Sequence, residues 1–243
     1  MLLAPIPSTR RRTRVGLLLA GLVLYGFSDG LLLLSGLGVD PWDVLQQGLS
    51  RAVGLQVGTW AILVGVVVLL GWIPLRQRPG LGTVANVIVI GLVINATLAA
   101  LPVPHGPVLP WVALLAGIVL NAIATGAYIG AGLGPGPRDG LSTGIAARGH
   151  SLRVVRTTIE VSVLVSGWLL GGTVGVGTLA YALSIGPLTH LTIPALRLPE
   201  QRRGTACEDR PASVSGRERG WRTRWGGSVP PRTSESGAGC TGS

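Results

Sequence analysis

Apolar residues run along this chain in long unbroken blocks. They do not alternate as in a half-buried strand, nor form the narrow stripe of a surface helix. Six blocks stand out: Val15–Leu37, Val57–Ile73, Leu81–Leu101, Trp111–Ala131, Val154–Leu170 and Gly175–Leu196. Each reaches or approaches the roughly 20 residues that cross a bilayer. The pattern predicts an all-α, polytopic membrane protein with six transmembrane helices. A large soluble core is excluded as an explanation, because whole blocks carry almost no polar residues. The opening segment, MLLAPIPSTRRRTR, has the charge of a signal peptide but no clean cleavage site after it, so we expect an uncleaved first span.

Composition agrees. The chain of 243 residues is 47% hydrophobic and 12% charged, against about 25% charged in soluble domains. Its 20 basic side chains are all arginine, and the net charge is +10. In a soluble protein that would suggest nucleic acid. Here the arginines flank the apolar blocks, so no nucleic-acid partner is expected. Arg10, Arg11, Arg12 and Arg14 precede the first block, and Arg76 and Arg78 separate the second and third. Arg138, Arg148, Arg153 and Arg156 lie between the fourth and fifth, and Arg197, Arg202 and Arg203 follow the sixth. Six spans put all of these on one side and leave Arg51 alone on the other. The positive-inside rule then makes the arginine side cytoplasmic, with both termini inside. The segment from Arg197 onward is rich in Arg, Gly, Ser and Pro and reads as disordered. Trp221 and Trp225 lie among its arginines, and Cys207 and Cys240 are too far apart there to suggest a disulfide scaffold or a metal site.

The blocks repeat. Gly21–Leu49 aligns with Gly117–Ile145 without a gap, and the matches include Gly30, Gly36, Gly38, Pro41, Asp43 and Gly48. A second block, Gly80–Gly91, aligns with Gly175–Gly186. Three spans per half is an odd number, so the halves should enter the membrane in opposite senses, an inverted repeat of the sort found in secondary transporters. The expected organisation is a cytoplasmic arm at 1–14, a first transmembrane repeat at 15–109, a second at 110–198 and a cytoplasmic tail at 199–243.

The repeated motif predicts a short extra helix in each half. In VDPWD, Asp40 suits the N-cap, Pro41 the first helical position and Asp43 the first turn. A helix from Pro41 to about Val53 would be roughly 20 Å long, too short to span. Trp42, Leu45, Leu49 and Ala52 should form its apolar stripe. The partner copy starts at Pro137 and keeps Asp139, but Arg138 replaces Trp42. Two arrangements are open: an interfacial helix in each half with Trp42 at headgroup level, or a pair of re-entrant helices whose ends line a central site.

Polar residues inside the blocks are candidates for a substrate path. Asp29 lies in the first span and must face protein or water. Asn86, Asn95 and Asn121 can hydrogen-bond between helices or line such a path. With Asp43 and Asp139, the path candidates are Asp29, Asp43, Asn86, Asn121 and Asp139. Glu160 should pair with Arg156 one turn earlier. Gly38, Pro41, Trp42, Gly48, Gly82 and Thr83 form the structural motif of the first half; Gly134, Pro137, Gly144, Gly177 and Thr178 form that of the second. The GLGT that opens the third span lacks the lysine and spacing of a phosphate loop. No nucleophile–base pair, carboxylate pair or metal-ligand cluster stands out, so neither an enzyme nor a metal or cofactor is expected.

Gly38, Pro41, Trp42, Asp43 and Gly48, with Gly80, Gly82, Thr83, Asn86 and Gly91, resemble the YczE/YyaS/YitT group of bacterial membrane proteins, nearest the YczE branch, as does the second-half echo of Gly134, Pro137, Asp139, Gly144, Gly177 and Thr178. The resemblance covers about residues 14–197. It implies a multi-pass protein of the bacterial cell membrane and no inherited catalytic residues. The expected function is passage of a small molecule or ion, of unspecified identity, between the repeats. The alternative is a structural or accessory membrane protein. The lipid bilayer is the expected partner, and the sequence leaves the oligomeric state open.

Overall fold

The computed structural model describes residues 11–77 and 79–196. All regular structure among them is helical: α1 (Arg11–Ser35), α2 (Pro41–Val53), α3 (Val57–Leu75), α4 (Leu81–Ala100), α5 (Leu109–Gly130), α6 (Pro137–Ala146), α7 (Leu152–Leu169) and α8 (Val176–Leu196). Five of them, α1, α3, α4, α5 and α8, are long and apolar enough to cross a membrane. Helix α7 forms where a sixth span was expected, but its 18 residues include Arg153, Arg156 and Glu160, and it is not among those five. The expected tail, with its tryptophans and cysteines, lies outside the described residues.

Helices α1 and α5 form the centre. They pack along each other, α4 covers α1, and α8 covers α5. Glycines make these contacts close: a β-carbon on Gly21 would lie 2.8 Å from the Tyr128 nitrogen, and one on Gly126 would lie 2.8 Å from the Thr192 backbone. Leu18, Leu22, Leu32, Ile94, Leu114 and Ile118 fill the space between. The outward faces are apolar too. Val67, Leu70, Leu92, Leu115, Leu183 and Leu191 are all exposed, as a bilayer rather than water would favour. Arg14 is buried, and its Nη1 donates to the Ala131 carbonyl at 2.9 Å, just past the end of α5.

The two motif copies share their backbone shape. Gly36 and Gly132 have φ of +66° and +67°, and Gly38 and Gly134 have +116° and +129°. The latter two lie where side chains other than glycine are strained. Each copy is gripped by the start of a helix in the other half. The Gly82 N–H donates to the Leu133 carbonyl at 2.9 Å, and the Gly177 N–H donates to the Leu37 carbonyl at 2.8 Å. Thr83 and Thr178 play the same part behind these bonds. The Gly80 N–H donates to Thr83 Oγ1 at 3.1 Å, and the Gly175 N–H to Thr178 Oγ1 at 3.4 Å. Thr83 also donates to the Pro135 carbonyl at 2.8 Å.

The short helices cross between the halves: α2 packs on α7, and α6 packs on α3. Glycines bring the helices close at both seams. Val44 and Leu45 of α2 lie against Gly167 of α7, whereas Gly140 of α6 lies against Trp72 of α3. At the first seam glycines meet from both helices, since Gly48 of α2 also lies against the Gly167 backbone, whereas at the second Gly140 meets the Trp72 ring.

Candidate functional site

Helix α2 starts as its sequence dictates. Asp40 is the N-cap, its carboxylate accepts the Asp43 N–H at 2.6 Å, and Pro41 opens the helix. Pro137 opens α6 in the same way, and its carbonyl accepts from Trp72 Nε1 at 3.1 Å. The two helices meet at these starts. Arg138 Nη1 donates to Asp40 Oδ2 at 2.7 Å, Arg138 Nη2 lies 3.9 Å from Asp43 Oδ1, and the guanidinium carbon stands 5.1 Å from the centre of the Trp42 ring. Trp42 and Arg138 occupy the same place in the two copies, so equivalent positions touch.

This contact corrects two expectations. Trp42 does not present its ring to the surroundings: it is buried against protein, with Arg138 over its ring. The Trp42–Ala52 stripe is also not the covered face of α2. Asp43, Val44, Gln46 and Gly48 are buried, whereas Ala52 is exposed and Leu45 and Leu49 only half-buried. The polar side of α2 faces inward because the other half's short helix supplies a cation there. Asp43 is fully buried, and neither carboxylate oxygen has a hydrogen-bond partner. Burial pushes its carboxyl well above the ordinary range, and the charge of Asp40 adds to this while Arg138 opposes it.

Beside this junction is a cavity of about 460 Å³. Its floor is formed by Asp40, Trp42, Gln46 and Arg138. All three tyrosines of the chain, Tyr25, Tyr128 and Tyr181, also line it. Tyr25 and Tyr128 meet edge to face at 5.9 Å between centroids. Asp139, Arg156, Glu160 and His190 carry the remaining charge or titratable character. Arg156 Nε donates to Glu160 at 2.9 Å, as the spacing predicted, and Arg156 lies 3.9 Å from Asp139.

The path candidates separate into groups. Asn86 and Asp139 line the cavity. Asp43 lies behind its floor. Asp29 and Asn121 form a buried polar knot between α1 and α5: Asn121 Nδ2 donates to Asp29 Oδ1 at 2.7 Å and to Ser28 Oγ at 3.1 Å. Tyr181 of α8 ties this knot to the cavity, since its hydroxyl donates to Asn121 Oδ1 at 3.0 Å. Sequence reasoning missed Asp40, Arg138, Gln46 and the tyrosines as lining. A signal was available, because Asp40, Trp42 and Arg138 are among the places where the two motif copies differ, and those differences complement each other.

The cavity exists because the two halves are packed differently. In the first half α3 and α4 lie tightly together. The Gly58 N–H donates to Asn95 Oδ1 at 2.8 Å, Asn95 Nδ2 donates to Thr59 at 3.2 Å, and a β-carbon on Gly91 would lie 2.5 Å from Ile62 Cγ1. The matching helices, α7 and α8, flank the cavity and do not pack along each other. Gly186 matches Gly91, and a β-carbon there would meet nothing within 4 Å. Glu160 and His190 stand where the first half has Gly65 and Asn95.

Comparisons with known proteins agree on kinship. The family described as "Family of unknown function (DUF6198)" matches residues 12–194. An uncharacterised protein of Haemophilus influenzae is 42% identical over 193 residues, covering 79% of this chain and 88% of that protein. The uncharacterised membrane protein YczE of Bacillus subtilis is 34% identical over 72% of this chain and 83% of its own length. The uncharacterised protein YyaS of the same organism is 28% identical over 76% of this chain and 96% of its own length. No solved structure gives a significant match.

Proposed function

We propose a transport function for this chain, which belongs to the family of unknown function DUF6198 and is a relative of the membrane proteins YczE and YyaS. The observation that carries the proposal is the 460 Å³ cavity, lined by paired charges and aromatic rings, at the meeting point of two short helices. Buried charge inside a membrane protein is costly and is retained mainly where a solute or proton passes. Helix starts that meet at depth, from matching segments of two repeats, are a recurrent way to build such a site.

In this reading α7 is the sixth span. Its 18 residues cover about 27 Å, close to the roughly 30 Å hydrocarbon core, and the Arg156–Glu160 pair lowers the cost of its charges. The halves are inverted repeats, supported by the matched grips at Gly82 and Gly177. The short helices are re-entrant, and both termini face the cytoplasm of a bacterial cell. The cavity opens between α7 and α8 while the matching gap between α3 and α4 is shut. Exchanging these two packings would move access to the other side of the membrane.

The test is solute flux. Full-length protein in liposomes is loaded in turn with small amines, amino acids, carboxylates and inorganic ions, and exchange of a labelled counterpart is followed. Saturable exchange of one class, lost in Gln46→Leu, is expected. Flux no faster than in empty liposomes for every class refutes transport and leaves an accessory or structural role.

A further inference from the structure

The chemistry of the cavity favours one class of ligand. Its carboxylates outnumber its guanidiniums. Asp40, Asp139 and Glu160 face it against Arg138 and Arg156, and Asp43 lies buried just behind. Among the described residues, the buried acceptor atoms that lack a hydrogen bond, both Asp43 carboxylate oxygens and Gln46 Oε1, all belong to the start of α2. Gln46 is 3% exposed and lines the cavity. An anion would bring more acceptors to a place already short of donors. A cation with N–H groups would supply what is missing.

The aromatic lining points the same way. Four rings, Tyr25, Trp42, Tyr128 and Tyr181, face a cavity of about 460 Å³, and ring faces attract desolvated cations. The protein already holds one cation in this manner. The Arg138 guanidinium sits 5.1 Å from the Trp42 ring centre while bonding Asp40 at 2.7 Å. A carboxylate below a tryptophan face is a cation site, and here a tethered guanidinium fills it.

We infer that the cavity binds a small organic cation, an amine or guanidinium compound, and that Arg138 is its tethered competitor on Asp40 and Trp42. The inference deepens the transport reading and rests on it for the ligand's fate. A cation entering the cavity meets the Gln46 Oε1, which has no hydrogen-bond partner, and the faces of the tyrosine rings. When it takes Asp40, Arg138 has Asp43 as its alternative partner, already 3.9 Å away. Release of the ligand returns Arg138 to Asp40 and joins the two short helices again.

The experiment is equilibrium binding to the purified full chain in detergent by calorimetry, which needs no flux. The probes are methylguanidinium, tetramethylammonium and inorganic phosphate. Both cations should bind the wild type saturably, and phosphate should not bind. Arg138→Gln should tighten methylguanidinium at least tenfold, and Asp40→Asn should weaken it at least tenfold. Should Asp40→Asn not fold, Gln46→Leu serves in its place with the same expected direction. Phosphate binding that disappears in Arg138→Gln overturns the inference. So does methylguanidinium binding confined to Arg138→Gln, because that is the filling of a vacated arginine site. Cation binding without cation flux in liposomes overturns transport alone. Flux of another solute without cation binding overturns this inference alone.

Discussion

Alanine at Gly91 and at Gly186 should have very different effects, although the two glycines are equivalent in the repeat. At Gly91 the added β-carbon would lie 2.5 Å from Ile62 Cγ1 and closer still to the Gly58 carbonyl oxygen. Ordinary contact is about 1 Å longer, so α3 and α4 must part by about that much. Such overpacking costs about 1–3 kcal/mol. Parting also stretches the bond from the Gly58 N–H to Asn95, and interhelical bonds in membranes contribute about 0.6 kcal/mol on average. Alanine returns up to about 1 kcal/mol in helix propensity. The net expectation is a loss of about 0.5–2.5 kcal/mol. At Gly186 the new β-carbon meets nothing within 4 Å, and the propensity gain is offset by crowding against Pro187, so stability should stay within about 0.5 kcal/mol of the wild type. The assay is denaturant or thermal unfolding of purified protein in micelles, followed by circular dichroism. If Gly186→Ala costs as much as Gly91→Ala, then α7 and α8 pack as α3 and α4 do, and the asymmetry that creates the cavity is refuted.

Two further outcomes are expected. Asn121→Leu removes three interhelical hydrogen bonds, to Ser28, Asp29 and Tyr181. At about 0.6 kcal/mol each the loss should be about 2 kcal/mol, with Tyr181→Phe alone giving about a third of it in the same unfolding assay. Asp43→Asn should stabilise the protein at neutral pH, because burial raises the folded carboxyl's pKa. An acid whose folded pKa is raised contributes stability below its unfolded value and loses it as pH rises through the folded one. The advantage of asparagine should therefore vanish below about pH 4 in unfolding measured across a pH series.

Much of the scaffold was legible because its causes are local. Long apolar blocks, Pro41 and Pro137 at helix starts and Asp40 as a cap act within a few residues, and the helices form within a few residues of the expected limits. The repeat was legible for the same reason: Gly38 and Gly134 are needed for a backbone turn, so glycine recurs there. The buried face of α2 was not legible. The pattern of Trp42, Leu45 and Leu49 predicts an apolar seam, but the neighbour that decides the matter is Arg138, nearly a hundred residues later. Asp29 and Asn121 were correctly singled out as polar residues that need company. That each would be the other's partner, and that Tyr181 would connect them to a cavity, depends on how α1, α5 and α8 cross.

The reciprocal grips at Gly82 and Gly177 also bear on how the chain is made. The start of α4 emerges from the ribosome about fifty residues before Leu133, the carbonyl that accepts its Gly82 N–H. At roughly 5–20 residues per second, that donor waits several seconds for its acceptor. During that interval the first half has no second half to close against, and the polar start of α2 has no Arg138. The nascent first half must therefore be sheltered by the insertion machinery or by water at the bilayer surface. Neither half contains both partners of its grip, and a chain truncated after α4 should be recognised as an orphan by membrane quality control.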